Sequence, residues 1–243
     1  MTTTSGSPIP RPSLALLGIE PWRAAYEFAQ HKLARTAPVP AGDGHPVIIF
    51  PGLATDGAAV APLRDYCQKL GYSAMDWGRG YNTGPQGDID AWLAELSDHV
   101  SGLLAGHSQR ATLIGWSLGG IYARELGKLM APRLRQVITI GTPFNGLPDH
   151  THAGLLFRLL NGAAPVSDPA LSLRLRTPPP QLPTTSIYSR SDGVVAWQSC
   201  RHDKTGGQVS DVEVKGSHIG MGWNPAVLRV VAERLARPGS ATR

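Results

Sequence analysis

The run Val47-Ile48-Ile49-Phe50 is continuously apolar, rich in β-branched residues, and stopped by Pro51-Gly52. A strand of this kind is buried on both faces, so it belongs in a parallel sheet covered by helices on each side. Such a sheet needs helical crossovers between its strands, and the rest of the chain supplies them. Strands are expected at 72–77 (weakly), 111–114, 136–140, 183–188 and 209–214. Helices are expected at 58–70, closed by Gly71, and at 89–104, 119–130 and 224–235. In the second of these, Ile89, Trp92, Leu93, Leu96, Val100 and Leu103 recur at the helical period. Asn224 suits the N-cap of the last, with Pro225 in its first turn. The fold class is therefore α/β, a mostly parallel sheet with helices on both faces.

Length and composition agree with one such domain. The 243 residues are 42% hydrophobic and 17% charged, which excludes wholesale disorder. Glycine (28) and proline (21) make up about a fifth of the chain, against a usual share of roughly 12%, so tight turns are numerous. The net charge of +5 is mild and forms no basic block interleaved with aromatics, so no nucleic-acid partner is expected. A tail and one helix occupy 1–40. Within it Trp22, Ala25, Tyr26, Ala29 and Leu33 predict a helix over 21–37 that begins near Pro21 and packs across the core. The main domain spans 41–243. The apolar stretch 14–19 is shorter than a signal h-region or a membrane span. No transmembrane segment is expected, and a cytoplasmic location is, with secretion left open. Cys67 and Cys200 match no metal spacing and are expected as free thiols, one bridge being the alternative.

Chemistry concentrates around Gly115-Trp116-Ser117-Leu118-Gly119, followed by Gly120, between an expected strand and an expected helix. A sharp strand-to-helix turn crowds the backbone, demands small flanking residues and projects the central hydroxyl at the carboxyl end of the sheet. A serine hydroxyl needs a base to take its proton and an acid to orient that base. In chain order these are Asp192, in Ser191-Asp192-Gly193, and His218, in Gly216-Ser217-His218. Both follow expected strands. An oxyanion would be held by two backbone amides, those of Leu118 and of Leu53 in the Phe50–Ala54 loop, where Pro51 has no N–H to offer.

Competing residues are placed less well. His31, His99 and His107 fall on or beside helices away from strand ends, and His45 precedes the first strand. His202 lies in a polar loop and is expected at the surface. His150, His152, Asp149 and Asp168 belong to a long excursion, and Asp211 sits within a strand.

The Pro-Gly-Leu loop at 51–53, the Gly-Trp-Ser-Leu-Gly-Gly turn, Ile-Gly-Thr-Pro-Phe at 140–144, Tyr-Ser-Arg-Ser-Asp-Gly-Val-Val at 188–195 and Gly-Ser-His at 216–218 together resemble the α/β-hydrolase superfamily. Within it they are similar to bacterial lipases and esterases and to GPI-inositol-deacylase-like enzymes. The resemblance implies an α/β-hydrolase fold and carboxylester hydrolysis through an acyl-enzyme, with Ser117 as nucleophile, Asp192 as acid and His218 as base. It departs where many such lipases carry His-Gly and this chain carries Pro51-Gly52. No cofactor and no metal are called for. The partner is a small-molecule ester, with transient contact to a lipid surface also open; the oligomeric state is not set. An acyltransferase or thioesterase would use the same triad, and a catalytically silent binding protein of this fold is a further alternative.

The excursion at about 146–182 reads as a small lid, with short helices near 153–160 and 169–175. Leu155, Leu156, Phe157, Leu159 and Leu160 crowd one segment with apolar side chains. Short- to medium-chain acyl esters are the expected substrates.

Overall fold

Val47 and Ile49 point into one apolar layer and Ile48 and Phe50 into another, and none of the four has any exposed surface. That strand is β1 (Pro46–Phe50) in a computed structural model that describes residues 9–33, 39–145 and 169–237. It is followed by β2 (Ser73–Asp76), β3 (Ala111–Trp116), β4 (Leu134–Ile140), β5 (Thr184–Tyr188) and β6 (Val209–Glu213). The six strands form one sheet in the order β2-β1-β3-β4-β5-β6, and every pairing is parallel.

The helices are α1 (Leu14–Leu33), α2 (Ala61–Lys69), α3 (Ile89–Leu103), α4 (Leu118–Leu129), α5 (Pro169–Arg176) and α6 (Pro225–Leu235). Leu63 and Cys67 of α2 and Val227, Leu228 and Val231 of α6 cover one face of the sheet. Leu96 and Val100 of α3 and Tyr122 and Leu126 of α4 cover the other. The caps follow local chemistry. Asp88 accepts from the Asp90 and Ala91 amides at the start of α3, and Asn224 accepts from Ala226 and Val227 at the start of α6. Cys67 and Cys200 are free and buried; burial pushes the Cys67 thiol up to about 12.

Two expectations for α1 are corrected. The helix starts at Leu14 because Ser13 caps it, its hydroxyl accepting from the Leu16 amide at 3.2 Å. Pro21 therefore lies inside the helix, where it lacks the N–H that would reach back one turn. The spacing of Trp22, Tyr26 and Leu33 gave the period of the helix but not the face it buries. Trp22 is 79% exposed, whereas Glu20, Ala24 and Glu27 are buried. The α2 expectation shortens by one turn, to Ala61, with Pro62 in the first turn. Of the excursion, α5 is present, while 146–168 lie outside the described residues. With them lie His150, His152, Asp149, Asp168, the expected 153–160 helix and its apolar side chains.

Candidate active site

Ser117 occupies the turn between β3 and α4 with φ +54° and ψ −122°, a left-handed conformation that non-glycine residues rarely hold and that marks functional turns. Its amide donates to the Ile140 carbonyl at 2.8 Å, tying the turn to the end of β4. The flanking glycines are required by close approach. A Cβ on Gly115 would strike the Gly119 carbonyl, one on Gly119 the Phe50 carbonyl, and one on Gly120 the Thr142 hydroxyl. The motif thus docks α4 against the carboxyl ends of β1 and β4, and any larger residue would push the serine out of place.

Asp192 and His218 reach the same sheet edge from the loops after β5 and β6. Asp192 Oδ1 accepts from the Val194 and Val195 amides at 2.8 and 2.7 Å, which fixes the carboxylate plane. Its Oδ2 accepts from His218 Nδ1 at 2.7 Å. A carboxylate only accepts, so the proton of the neutral imidazole sits on Nδ1 and Nε2 is left as an acceptor. Ser117 Oγ donates to that nitrogen at 3.1 Å. All three residues are buried. The His218 carbonyl is held by the Trp116 indole N–H at 3.2 Å. The pKa of His218 is raised above the ordinary histidine value: burial, the largest single influence, lowers it, but the charge and hydrogen bond of Asp192 and then the charge of Glu20 outweigh that.

The 51–55 loop passes beside this line. A Cβ on Gly52 would sit 3.4 Å from the Ser117 Cβ, so the loop backbone runs against the serine. Ala54 takes φ +59°. Among the described residues, the Leu53 and Leu118 amides have no protein acceptor. Asn82, unremarked in the sequence, organises this loop. Its side chain donates to the Pro51 carbonyl at 2.9 Å, its backbone pairs with Ala54 and Thr55, and it accepts from the Tyr122 hydroxyl of α4 at 3.0 Å. An asparagine in a glycine-rich loop is ordinary in sequence; only its complete burial marks it.

The other histidines are sorted by their second nitrogen. His45 lies at the amino end of the sheet, as its place before β1 implies, between Asp43 and the Thr112 hydroxyl; burial lowers its pKa against the pull of Asp43. His99 is corrected: it reaches the Trp77 carbonyl at 2.8 Å, just past the end of β2, because α3 packs alongside that strand end. His202 is corrected as well. It is buried, not superficial, because Asp211 and Arg124 close around it at 2.6 and 2.9 Å. Among the described residues no cluster of three or more His, Cys, Asp or Glu side chains could hold a metal ion, and no helix is long and apolar enough to cross a membrane.

No protein-family model matches the sequence, and no curated protein does. Solved structures do. Lipase BlEst2 of Bacillus licheniformis superposes with a TM-score of 0.60 at 18% identity, over 82% of this chain and 96% of that one. The fold is that of the α/β-hydrolases. Naproxen esterase (carboxylesterase NP) of Bacillus subtilis matches with a TM-score of 0.57 at 12% identity, over 90% and 98%. A pyrethroid hydrolase of Sphingobium faniae JZ-2 gives 0.56 at 17%, over 81% and 99%. In an α/β-hydrolase fold the carboxyl ends of the strands are where ligands bind, and Ser117, Asp192 and His218 all stand there.

Missed altogether in the sequence were Glu20 and Glu27. They are two turns apart on α1, with Arg23 between them, and all three fall on one stripe. A charged stripe opposite an apolar one ordinarily faces water, so the sequence carried no sign that this one turns inward.

Proposed function

We propose that this protein is a serine carboxylic-ester hydrolase that works through an acyl-enzyme. One observation carries the reading: a continuous buried line from Asp192 Oδ2 through His218 to Ser117 Oγ, with contacts of 2.7 and 3.1 Å. The proton positions in that line are those a general base requires before attack. Solved neighbours named as esterases and lipases support it at the level of fold.

In the first half-reaction Ser117 Oγ attacks the ester carbonyl carbon while its proton passes to His218 Nε2. The carbonyl oxygen becomes an oxyanion, held in this reading by the Leu53 and Leu118 amides; Leu118 opens α4, where helix-end N–H groups lack intrahelical partners. Asp192 stabilises the imidazolium and keeps its orientation. His218 then gives the proton to the departing alkoxide, and the alcohol leaves. Water deprotonated by His218 attacks the acyl-serine, and the acid departs with Ser117 restored. The first of these transfers, from Ser117 Oγ to His218 Nε2, runs between groups already in hydrogen-bond contact.

A p-nitrophenyl ester series from acetate to palmitate, run with and without a serine-directed phosphonate, tests the reading. The expected result is phosphonate-sensitive turnover, best on short to medium acyl chains. Absence of turnover across the series, or turnover that survives the phosphonate, would overturn it.

A further inference from the structure

α1 is amphipathic in the reverse sense. Ile19, Trp22 and Tyr26 face outward, while Glu20 and Glu27 are 1% and 6% exposed. A carboxylate withdrawn from water must be compensated by hydrogen bonds, and the donors here are informative. Glu20 Oε1 accepts from the Gly193 amide at 2.8 Å, and its Oε2 from the Ile219 amide at 3.1 Å. Gly193 follows Asp192, and Ile219 follows His218. Glu27 accepts from the Ser217 amide at 2.8 Å and the Ser217 hydroxyl at 3.0 Å, on the other side of His218. Arg23 donates to the Ser191 carbonyl at 2.5 Å and its hydroxyl at 2.9 Å. Three side chains of one helix thus grip the residues next to Asp192 and His218, and Glu20 alone bridges the two loops.

The loops are shaped to receive the helix. A Cβ on Gly193 would stand 2.6 Å from the Leu16 carbonyl oxygen, and one on Gly220 would strike the Glu27 carboxylate. Glycine at these two positions lets α1 approach to hydrogen-bond distance.

We propose that Glu20 is a positioning residue for the Ser117 reaction, its single carboxylate setting the separation of the Asp192 and His218 loops through the Gly193 and Ile219 amides. This rests on the reading of Ser117, Asp192 and His218 as nucleophile, acid and base. Glu20 also acts on the base through charge. The charged and titratable groups packed around His218 are Asp192 from the loop after β5, Glu20 and Glu27 from α1, and the Cys200 thiol behind Asp192. Arg23, 3.5 Å from Glu20, offsets part of its charge. The contribution of Glu20 favours the imidazolium. Removing its charge must therefore make His218 easier to deprotonate, and removing Arg23 must make it harder.

The test is kcat/KM against pH for p-nitrophenyl butyrate, with melting temperature and phosphonate labelling of Ser117 recorded alongside. Glu20→Gln is expected to lower kcat about tenfold or more with KM within about threefold, since misplacement of catalytic groups acts on the reacting geometry. Its acid limb should move to lower pH. Glu20→Asp should keep the limb near its original position. Arg23→Met should move the limb to higher pH, and this half-exposed position decides the matter if Glu20→Gln does not fold. A limb unmoved in both Glu20→Gln and Arg23→Met, or unmoved in Arg23→Met where Glu20→Gln does not fold, would overturn the proposal. So would a kcat within about twofold of the parent in Glu20→Gln. A parent protein with neither turnover nor labelling at Ser117 would instead overturn the catalytic reading beneath it.

Discussion

Two buried Asp–His pairs stand near β5 and β6, and they are almost the same in geometry. Asp192 meets His218 Nδ1 at 2.7 Å, and Asp211 meets His202 Nδ1 at 2.6 Å. The difference lies at the second nitrogen. His218 Nε2 faces the Ser117 hydroxyl, whereas His202 Nε2 faces the Arg124 guanidinium. A guanidinium can only donate, so the lone pair of His202 is engaged by a group with no reactive oxygen. Arg124 is itself held by the Leu175 and Arg176 carbonyls and lies over the Phe144 ring at 3.8 Å. In the proposed reaction one pair passes a proton; the other pins α4 and α5 to β6. An Asp–His contact therefore says little about catalysis until the partner of the free nitrogen is known.

Neutralising each acid is the sharpest way to break the comparison. Asp192→Asn should leave His218 in the wrong tautomer and cut ester turnover by up to about 10⁴ with the fold kept. Asp211→Asn should change turnover by less than about threefold, because its histidine touches no reacting group. Steady-state kinetics of the two variants on one ester, with circular dichroism to verify folding, checks both. Comparable losses would mean that the two pairs do not differ in kind.

Stability should sort the other way. Burial pulls the Arg124 guanidinium down to about 10, against the charges of Glu125 and Asp211, and this cation is committed on several sides. Arg124→Met strands the His202–Asp211 pair and should cost about 3 kcal/mol, the scale of breaking a buried charged contact. Turnover of the folded variant should fall by less than about tenfold. Denaturant unfolding beside the ester assay reads both numbers. A catalytic loss larger than the stability loss implies would join this cluster to the active site.

A smaller effect separates activity from stability through pH. The proposed reaction needs neutral His218, so kcat/KM should fall on the acid side through a pKa above the ordinary histidine value of about 6.5. Because the folded value is raised, His218 contributes stability that is complete below the unfolded pKa and is lost as pH rises through the folded one. Activity should rise over the same interval in which this contribution fades. Parallel profiles of kcat/KM and unfolding free energy test the opposition; a joint rise would contradict the raised pKa.

How much of this was legible in the sequence depended on whether the cause was local. β1, β3 and β4 announce themselves because strands buried on both faces are mostly apolar and β-branched. The turn at Ser117 does so because crowding there admits only glycine at 115, 119 and 120. Asp192 and His218 lie in glycine-containing loops that follow strands, so their places at the sheet edge could be inferred from chain order. Asn82, His202 and Glu20 could not, since each owes its burial to partners remote in sequence. Glu20 meets amides 173 and 199 residues away. The face that α1 buries was missed for the same reason: periodicity sets a stripe, but the donors waiting in two distant loops decide that the charged stripe turns inward.

The most direct test of the central claim is to locate the reactive hydroxyl. Intact-mass and peptide-mapping spectrometry after treatment with a fluorophosphonate should find one adduct per chain, on Ser117. Labelling should vanish in Ser117→Ala, together with ester turnover, by several orders of magnitude, while the melting temperature holds. An adduct on another residue, or turnover retained in the folded Ser117→Ala protein, would contradict the account.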